Sequence, residues 1–399
     1  MSTPSPDRAV TILAIAAFAS ATSTRAADAL LPLLAAGFGT TPGNAAAVIT
    51  GFALSYGLLQ AVHGPLGDKF GKFRLVCVTA SISLAGTLAC ALAPTLELLV
   101  IARFVAGATV GATIPLAMAW IGDVVPYDRR QAVLARFLIG QMAGTAFGAA
   151  AGGALGEWFG WRGVFWLINA LYVGVNLLLY TELRRNPLTR QTPSGAGATL
   201  AASFVQMVGL LHRPWVRVIL ITIFLEGALF YGALAFVPLH LHDRLGMGLG
   251  ASGSAIILFA VGGIAYAAWS GRLVARLGER GLAYWGGAIL CLSYLGIAFA
   301  PHPAWALPWL LAAGVGLYML HNTLQVNATQ MAPESRGAAV ALYAMCLFTG
   351  QAVGVWLGGR LVDAAGTVPL FLIAAVGLPL LGWWFCRRLL YRPIAARVS

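Results

Sequence analysis

Four ionisable side chains stand inside long apolar stretches of the sequence, namely Arg25, Asp28, Arg103 and Glu226. Ionisable groups in such surroundings are costly to bury and usually serve a function. Arg25 and Asp28 are three residues apart, so they share one face of a helix. Arg103 could also pair with Asp28, which would offset the cost of burying each charge alone. The alternative is that these groups form a purely structural ion pair.

Glu226 has no basic neighbour in its own apolar stretch. Burial penalises the charged form of such a carboxylate unless a cation approaches it from elsewhere in the chain. A carboxyl group whose protonation responds to its surroundings can couple proton movement to another event. A permanently protonated or ion-paired group would instead be structural.

A polar stripe at helical spacing lies in another apolar stretch and contains His321. Such a stripe can join helices or line a wet cavity. His321 can titrate near neutral pH, although a buried histidine is also commonly a structural hydrogen-bonding residue. The proton-coupling candidates are therefore Asp28, Glu226 and His321. The stripe consists of Tyr318, His321, Asn322, Gln325 and Thr329, and the candidates for a substrate cavity are Arg25, Arg103, Tyr56, Gln60, Gln141, Tyr231, Asn322, Gln325 and Gln351.

Long apolar segments must position these residues. Of the 399 residues, 59% are hydrophobic and only 10% are charged, whereas soluble domains carry about 25% charged residues. A helix needs about 20 apolar residues to cross a bilayer. We therefore predict an all-α membrane protein with twelve transmembrane helices. These spans 1 to 12 cover residues 9–36, 45–66, 73–94, 97–123, 131–155, 161–182, 214–239, 250–271, 281–301, 304–329, 336–359 and 367–389.

The first span could be mistaken for a secretory signal peptide, because residues 9–24 resemble its apolar core. The apolar run continues to about residue 36, which favours a membrane span. Five cysteines, Cys77, Cys90, Cys291, Cys346 and Cys386, all fall inside apolar spans. Their spacing indicates neither a disulfide framework nor a zinc site.

The basic residues are distributed unevenly between the two sides of this topology. Twenty of the 25 Lys and Arg residues lie on the side that an even number of spans assigns to both termini. The opposite loops hold only Arg162, Arg244 and Arg360. The positive-inside rule therefore predicts cytoplasmic termini, in the cytoplasmic membrane of a bacterium. The net charge of +12 reflects this topology and not a nucleic-acid partner.

The chain divides into two related halves. A stretch rich in Pro, Ser and Gly at residues 184–203 suits a cytoplasmic linker between an N-terminal half, 1–183, and a C-terminal half, 204–399. Gly64–Gly71 recurs in degenerate form as Gly271–Gly278, 207 positions later. Duplicated six-helix halves around a central path are typical of transporters.

Glycines strengthen the case for duplication. Four glycines of span 5 match four of span 11 at an offset of 206 positions, and most of them are spaced four residues apart. Small residues on one helix face let backbones approach closely in lipid. The series therefore predicts tight packing, or a sliding seam between the halves. Its members are Gly144, Gly148, Gly152, Gly153, Gly350, Gly354, Gly358 and Gly359.

Three motifs resemble the major facilitator superfamily. Residues 64–72 read GPLGDKFGK and match the family pattern G-x-L-a-D-r-x-G-r after span 2. Arg103 and Gly107 resemble the R-x-x-x-G of span 4 in drug:proton antiporters, without the usual Gln before the Gly. The span 5 glycines resemble their G-x-x-x-G-P-x-x-G-G, with Ala149 in place of Pro. The resemblance implies the major facilitator fold and membership of the twelve-span antiporter branch.

The resemblance also implies a cytoplasmic gate. In the family, the aspartate equivalent to Asp68 latches the outward-facing state by binding N–H groups where span 11 begins, here near Arg336, and Asp123 would extend the network. A helix N-terminus favours such an anion. The alternative is a solvated turn that only sets topology. The predicted gate comprises Gly64, Asp68, Lys69, Gly71, Lys72, Asp123 and Arg336.

The function expected from these features is proton-coupled export of a small organic or amphipathic compound by alternating access. The alternative is an uptake permease for an organic acid or similar nutrient, with Arg25, Arg103 and His321 binding its carboxylate. The sequence has no P-loop, H-E-x-x-H or G-x-S-x-G motif, so we expect no enzyme activity. The expected partners are a small-molecule substrate and the bilayer. We expect a monomer that needs no metal or cofactor and is driven by the proton gradient.

Overall fold

The computed structural model describes residues 6–190 and 200–392 of the chain. Residues 191–199 of the predicted linker lie outside this part, as does Arg397 among the basic residues counted above. All regular elements of the described residues are helical. In chain order they are α1 (Asp7–Arg25), α2 (Leu31–Phe38), α3 (Pro42–Ala45), α4 (Ala47–Phe70), α5 (Lys72–Leu92), α6 (Leu96–Val110), α7 (Thr113–Val124), α8 (Tyr127–Arg185), α9 (Leu200–Leu210), α10 (Pro214–Glu226), α11 (Gly232–Leu234), α12 (Val237–Asp243), α13 (Leu249–Ala298), α14 (Pro303–Gln330), α15 (Arg336–Ala365) and α16 (Thr367–Arg388).

The number of membrane crossings is consistent with the predicted twelve. Ten helical segments of the described chain are long and apolar enough to cross a membrane. Two of them, Asp128–Arg185 and Leu249–Ala298, have 58 and 50 residues, about twice the length that a crossing needs. Each is broken by a glycine with positive φ, Gly160 (φ 69) and Gly278 (φ 60). A residue with a Cβ rarely adopts this conformation, so glycine permits the sharp turn between two crossings.

The first span of each half is interrupted where its ionisable residues lie. α1 ends at Arg25, and a 3₁₀ turn, Asp28–Leu30, precedes α2 with its early Pro32. α10 ends at Glu226, and a π-helical turn, Gly227–Tyr231, precedes α11 and α12. Where a membrane helix is interrupted, the backbone N–H and C=O groups that lose their helical hydrogen bonds must find other partners within the protein. The interruptions therefore point to an internal polar site.

Each half packs around its own glycine-rich helix. α8 lies against α1, and α15 lies against α10 and the π turn. The two halves meet where α4 packs on α15 and where α8 packs on α13. The ionisable residues of α1 and α10 are thereby enclosed between helices.

Candidate functional site

Arg25 and Asp28 form a buried ion pair at the break between α1 and the 3₁₀ turn. Arg25 Nη1 donates to Asp28 Oδ2 at 3.1 Å. The Arg25 guanidinium also lies 4.8 Å from the centre of the Tyr231 ring, which belongs to the π turn of the other half. This contact brings together two of the predicted cavity residues.

Arg103 binds backbone carbonyls instead of Asp28. Its side chain is 1% exposed, and it donates from Nη1 to the Ser23 carbonyl at 3.1 Å and from Nε to the Val48 carbonyl at 3.4 Å. The guanidinium lies 3.9 Å from the centre of the Phe52 ring. The Arg103–Asp28 ion pair that the sequence allows is not formed among the described residues, where Asp28 pairs with Arg25. Arg103 thereby links α6 to α1 and α4.

Glu226 and His321 form a second pair, in which the carboxylate is fully buried and the histidine partly buried. Glu226 is fully buried at the end of α10, and its Oε2 lies 2.7 Å from Nδ1 of His321 on α14. Both residues are predicted proton-coupling candidates, but the sequence does not indicate that they meet. The ring of Tyr343 lies 5.9 Å from the His321 ring. The partner that Glu226 lacks in its own span is therefore a titratable histidine and not an arginine.

The other predicted cavity residues differ in their surroundings. The Tyr56 ring lies 4.0 Å from the Phe348 ring, between α4 and α15. Gln60 is bonded within its own half, because its amide donates to the Gly111 carbonyl at 3.0 Å. Gln351 is buried, whereas Gln325 is exposed. Gln141 and Asn322 are partly buried.

The predicted gate is organised around Lys72. Its Nζ lies 2.6 Å from Asp123 Oδ2 and 3.4 Å from Asp68 Oδ1. Within the described ranges, no hydrogen bond or ion pair joins Asp68 to α15, and Arg336 is exposed where that helix begins. The predicted contact of Asp68 with span 11 is thus not made in this state. Gly64, Lys69 and Gly71 lie in the same segment, and Gly71 has a φ of 90°.

Most of the glycine series faces the first helix of its own half. A Cβ at Gly144, Gly148 or Gly152 would collide with the α1 backbone, and one at Gly350 or Gly354 would collide with the α10 or π-turn backbone. Only two members approach the opposite half: Gly153 lies against Gly253, and Gly359 lies against Gly43. Gly358 faces Phe236 and Leu370 within its own half. A seam between the halves therefore involves Gly153 and Gly359 alone in this series.

A further polar cluster was not expected from the sequence. Glu279 accepts from Arg392 at 3.2 Å and from Asn327 at 3.1 Å, and Arg392 Nη2 donates to Gln330 at 2.7 Å. A signal was available, since Glu279 stands 207 positions after Lys72 and Gln330 stands 207 after Asp123. The C-terminal half thus carries the reversed charge at the Lys72 position. In the described chain, no three His, Cys, Asp or Glu side chains are placed to hold a metal ion.

Comparisons with known proteins concern the chain as a whole. The family model of the Major Facilitator Superfamily matches residues 13–355. The chain belongs to the major facilitator superfamily. A relative, the chloramphenicol resistance protein of Streptomyces lividans, is 27% identical, with 82% of this chain and 81% of that protein covered. Another, the multi-drug resistance efflux pump PmrA homolog of Lactococcus lactis, is 26% identical, with 87% of both proteins covered.

Solved structures show the same fold. The D-xylose-proton symporter superposes with a TM-score of 0.76 at 16% identity, over 95% of this chain and 96% of that chain. At this identity the likeness concerns the fold alone. This major facilitator protein is therefore an integral membrane transporter of small molecules, not an enzyme, and it has the predicted fold.

Proposed function

We propose that this transporter exports a small organic or amphipathic compound in exchange for protons, by alternating access. The observation that carries the proposal is the hydrogen bond between fully buried Glu226 and partly buried His321. Among the described residues, the ion-pair partner of Glu226 is this histidine and not an arginine. A carboxylate and an imidazole in contact titrate as a coupled pair, and a second proton neutralises the carboxylate and so weakens their attraction.

The energetic consequence of protonation supports coupling. A charged Glu226 that is separated from His321 while the site is closed would be an uncompensated charge in a low-dielectric interior, and a water path to it would relieve that cost. The proton count of the pair therefore alters the relative energies of the two states of access. Asp28 is held differently, because its contact at 3.1 Å is with an arginine of its own half, Arg25, three residues away. We thus place coupling at Glu226 and His321, with Asp28 as part of the fixed polar framework beside the path.

The direction of transport is inferred from the relatives. Two of them are named as a chloramphenicol resistance protein and a multi-drug resistance efflux pump homolog, and resistance suits export. We further propose the cytoplasmic membrane of a bacterium as the location, with both termini in the cytoplasm. Tyr56, Tyr231 and Phe348 would supply aromatic surface for an apolar substrate between the halves.

The test is transport by the purified protein in proteoliposomes with an imposed proton gradient. Chloramphenicol and a panel of amphipathic compounds serve as probes. We expect gradient-driven accumulation by the wild type on the side from which protons leave. Glu226→Gln and His321→Asn should abolish this accumulation but retain exchange of labelled for unlabelled compound without a gradient.

A matched control is His240→Asn. His240 is also a buried histidine of the C-terminal half, but its partners among the described residues are the Thr367 hydroxyl and the Ile297 carbonyl and not a carboxylate. This variant should still respond to the gradient. Gradient-driven accumulation by both Glu226→Gln and His321→Asn would contradict coupling at the pair. Transport of organic acids along with protons would instead support an uptake permease.

A further inference from the structure

Two carboxylates join the halves at the end of the molecule opposite the Lys72 gate. Asp363, near the end of α15, accepts from the Gly43 N–H at 2.8 Å and from the Thr41 hydroxyl at 2.6 Å. Glu157, in α8, accepts from the Gly250 N–H at 2.7 Å. Each bond therefore runs from a carboxylate of one half to a backbone amide of the other.

The two bonds occupy the same position on their helices. Gly43 is the second residue of α3, and Gly250 is the second residue of α13. The first amides of a helix have no partner within it and form its positive end, so they favour a carboxylate. These are helix caps supplied by the opposite half.

The repeat relates one bond to the other. Glu157 and Asp363 are 206 positions apart, and Gly43 and Gly250 are 207 apart. These are the offsets that relate the glycine series and the loop motifs of the two halves. The acceptor and the donor are therefore both duplicated, although the acceptor is Glu in one copy and Asp in the other.

Glycine at both donor positions permits the approach. A Cβ on Gly43 would collide with the Asp363 carboxylate and the Gly359 carbonyl, and a Cβ on Gly250 would collide with the Glu157 carboxylate. The sequence alone shows ordinary glycines near loop ends. The structure shows that each leaves room for a carboxylate from across the interface.

We propose that Glu157 and Asp363 are gating residues, which hold this end of the transporter closed while the opposite end is open. In the same state, and within the described ranges, Asp68 makes no bond to α15, so the contact predicted at the other end is open. Outward opening must break both carboxylate bonds. The inference rests on alternating access but not on the proposed substrate or coupling ion.

Hydrogen–deuterium exchange of the full-length protein in lipid nanodiscs, without substrate, tests the inference. If the two bonds open together, Glu157→Ala, which removes the acceptor, should speed exchange around Gly43, at the distant bond, as well as around Gly250. Asp363→Ala should speed exchange around both glycines too. We expect about fivefold for each single variant, the loss typical of one helix-capping hydrogen bond, and about 25-fold for the double variant, since separate sites add.

Glu97→Ala is the matched control, because Glu97 is an exposed carboxylate at the same end, near the start of α6. It should leave exchange around Gly43 and Gly250 unchanged. Gly43→Ala provides an independent variant, since its Cβ should force the end open and speed exchange around Gly250. Faster exchange confined to the mutated bond would identify a local cap and overturn the gate. Because this readout involves no proton gradient, its failure is distinct from failure of proton coupling.

Discussion

Replacing Arg103 by methionine should destabilise the protein without abolishing its fold. The guanidinium donates to the Ser23 and Val48 carbonyls and lies over the Phe52 ring, and the side chain is almost fully buried. Methionine retains an unbranched side chain of similar length but cannot donate a hydrogen bond. The variant therefore removes the polar links from α6 to α1 and α4 while it keeps most of the packing.

The expected magnitude follows from these contacts. The hydrogen bond to Ser23 contributes about 1 kcal/mol to the free energy of unfolding, and the longer bond to Val48, at 3.4 Å, contributes less. The desolvated cation–π contact contributes about 2 kcal/mol. A sulfur contact with the Phe52 ring recovers roughly 1 kcal/mol. Arg103→Met should thus cost about 2.5 kcal/mol, or about a 60-fold change in the unfolding equilibrium. Arg103→Ala also leaves a cavity and should cost about 4–5 kcal/mol.

The assay is reversible unfolding of the purified protein by SDS in mixed micelles, followed by tryptophan fluorescence. Arg360→Met is the matched control, since Arg360 also lies over a ring, 4.1 Å from the centre of Trp356, but is exposed. We expect the control to cost less than about 1 kcal/mol. Wild-type stability of Arg103→Met, with substrate affinity reduced tenfold or more, would refute the reasoning and assign the guanidinium to the substrate.

Three smaller perturbations test other contacts. Lys72→Met should lower the free energy of unfolding by less than about 1 kcal/mol, because both partner carboxylates are about half exposed. It should nevertheless slow turnover in proteoliposomes, and unchanged turnover would show that Lys72 is not part of the gate. Gly354→Ala should cost about 1–3 kcal/mol through collision with the facing backbone, whereas Gly174→Ala, which has open space, should not lower the melting temperature. Tyr294→Phe should cost about 1 kcal/mol in SDS unfolding, because the hydroxyl donates to the Phe230 carbonyl of the π turn at 2.7 Å. Wild-type stability of this variant would show that the carbonyl finds another donor.

The sequence predicts the helices well because a bilayer imposes a simple requirement. Apolar length and the distribution of basic residues indicate the spans, and the family comparison and the fold agree with them. Gly160 and Gly278 each lie between two predicted spans. The sequence does not indicate that a single glycine makes each turn, which is visible only in the backbone conformation. The residues at which the two halves begin and end, on either side of the linker at 184–203, remain a prediction.

The pairing of side chains could not be predicted in the same way. The sequence shows that Arg103, Asp28 and Glu226 are costly to bury, but which partner offsets the cost depends on which helices are neighbours. Asp28 pairs with Arg25, three residues away in its own span, whereas Arg103 donates to the backbone of two other helices. His321 comes from a helix 95 positions away in sequence from Glu226, and no short-range pattern specifies such a contact.

The π turn after Glu226 has a consequence for how this site could arise. Its i→i+5 bonding accommodates one residue more than a regular helical turn. Glu226 before the turn contacts His321, and Tyr231 at its end faces Arg25 of the other half. Successive residues of an α-helix point about 100° apart, so loss of one residue from the turn would rotate one of these side chains away from its partner. Insertion or deletion of a single codon, without any substitution, would therefore be enough to create or to remove the link between the Glu226–His321 contact and the Tyr231–Arg25 contact.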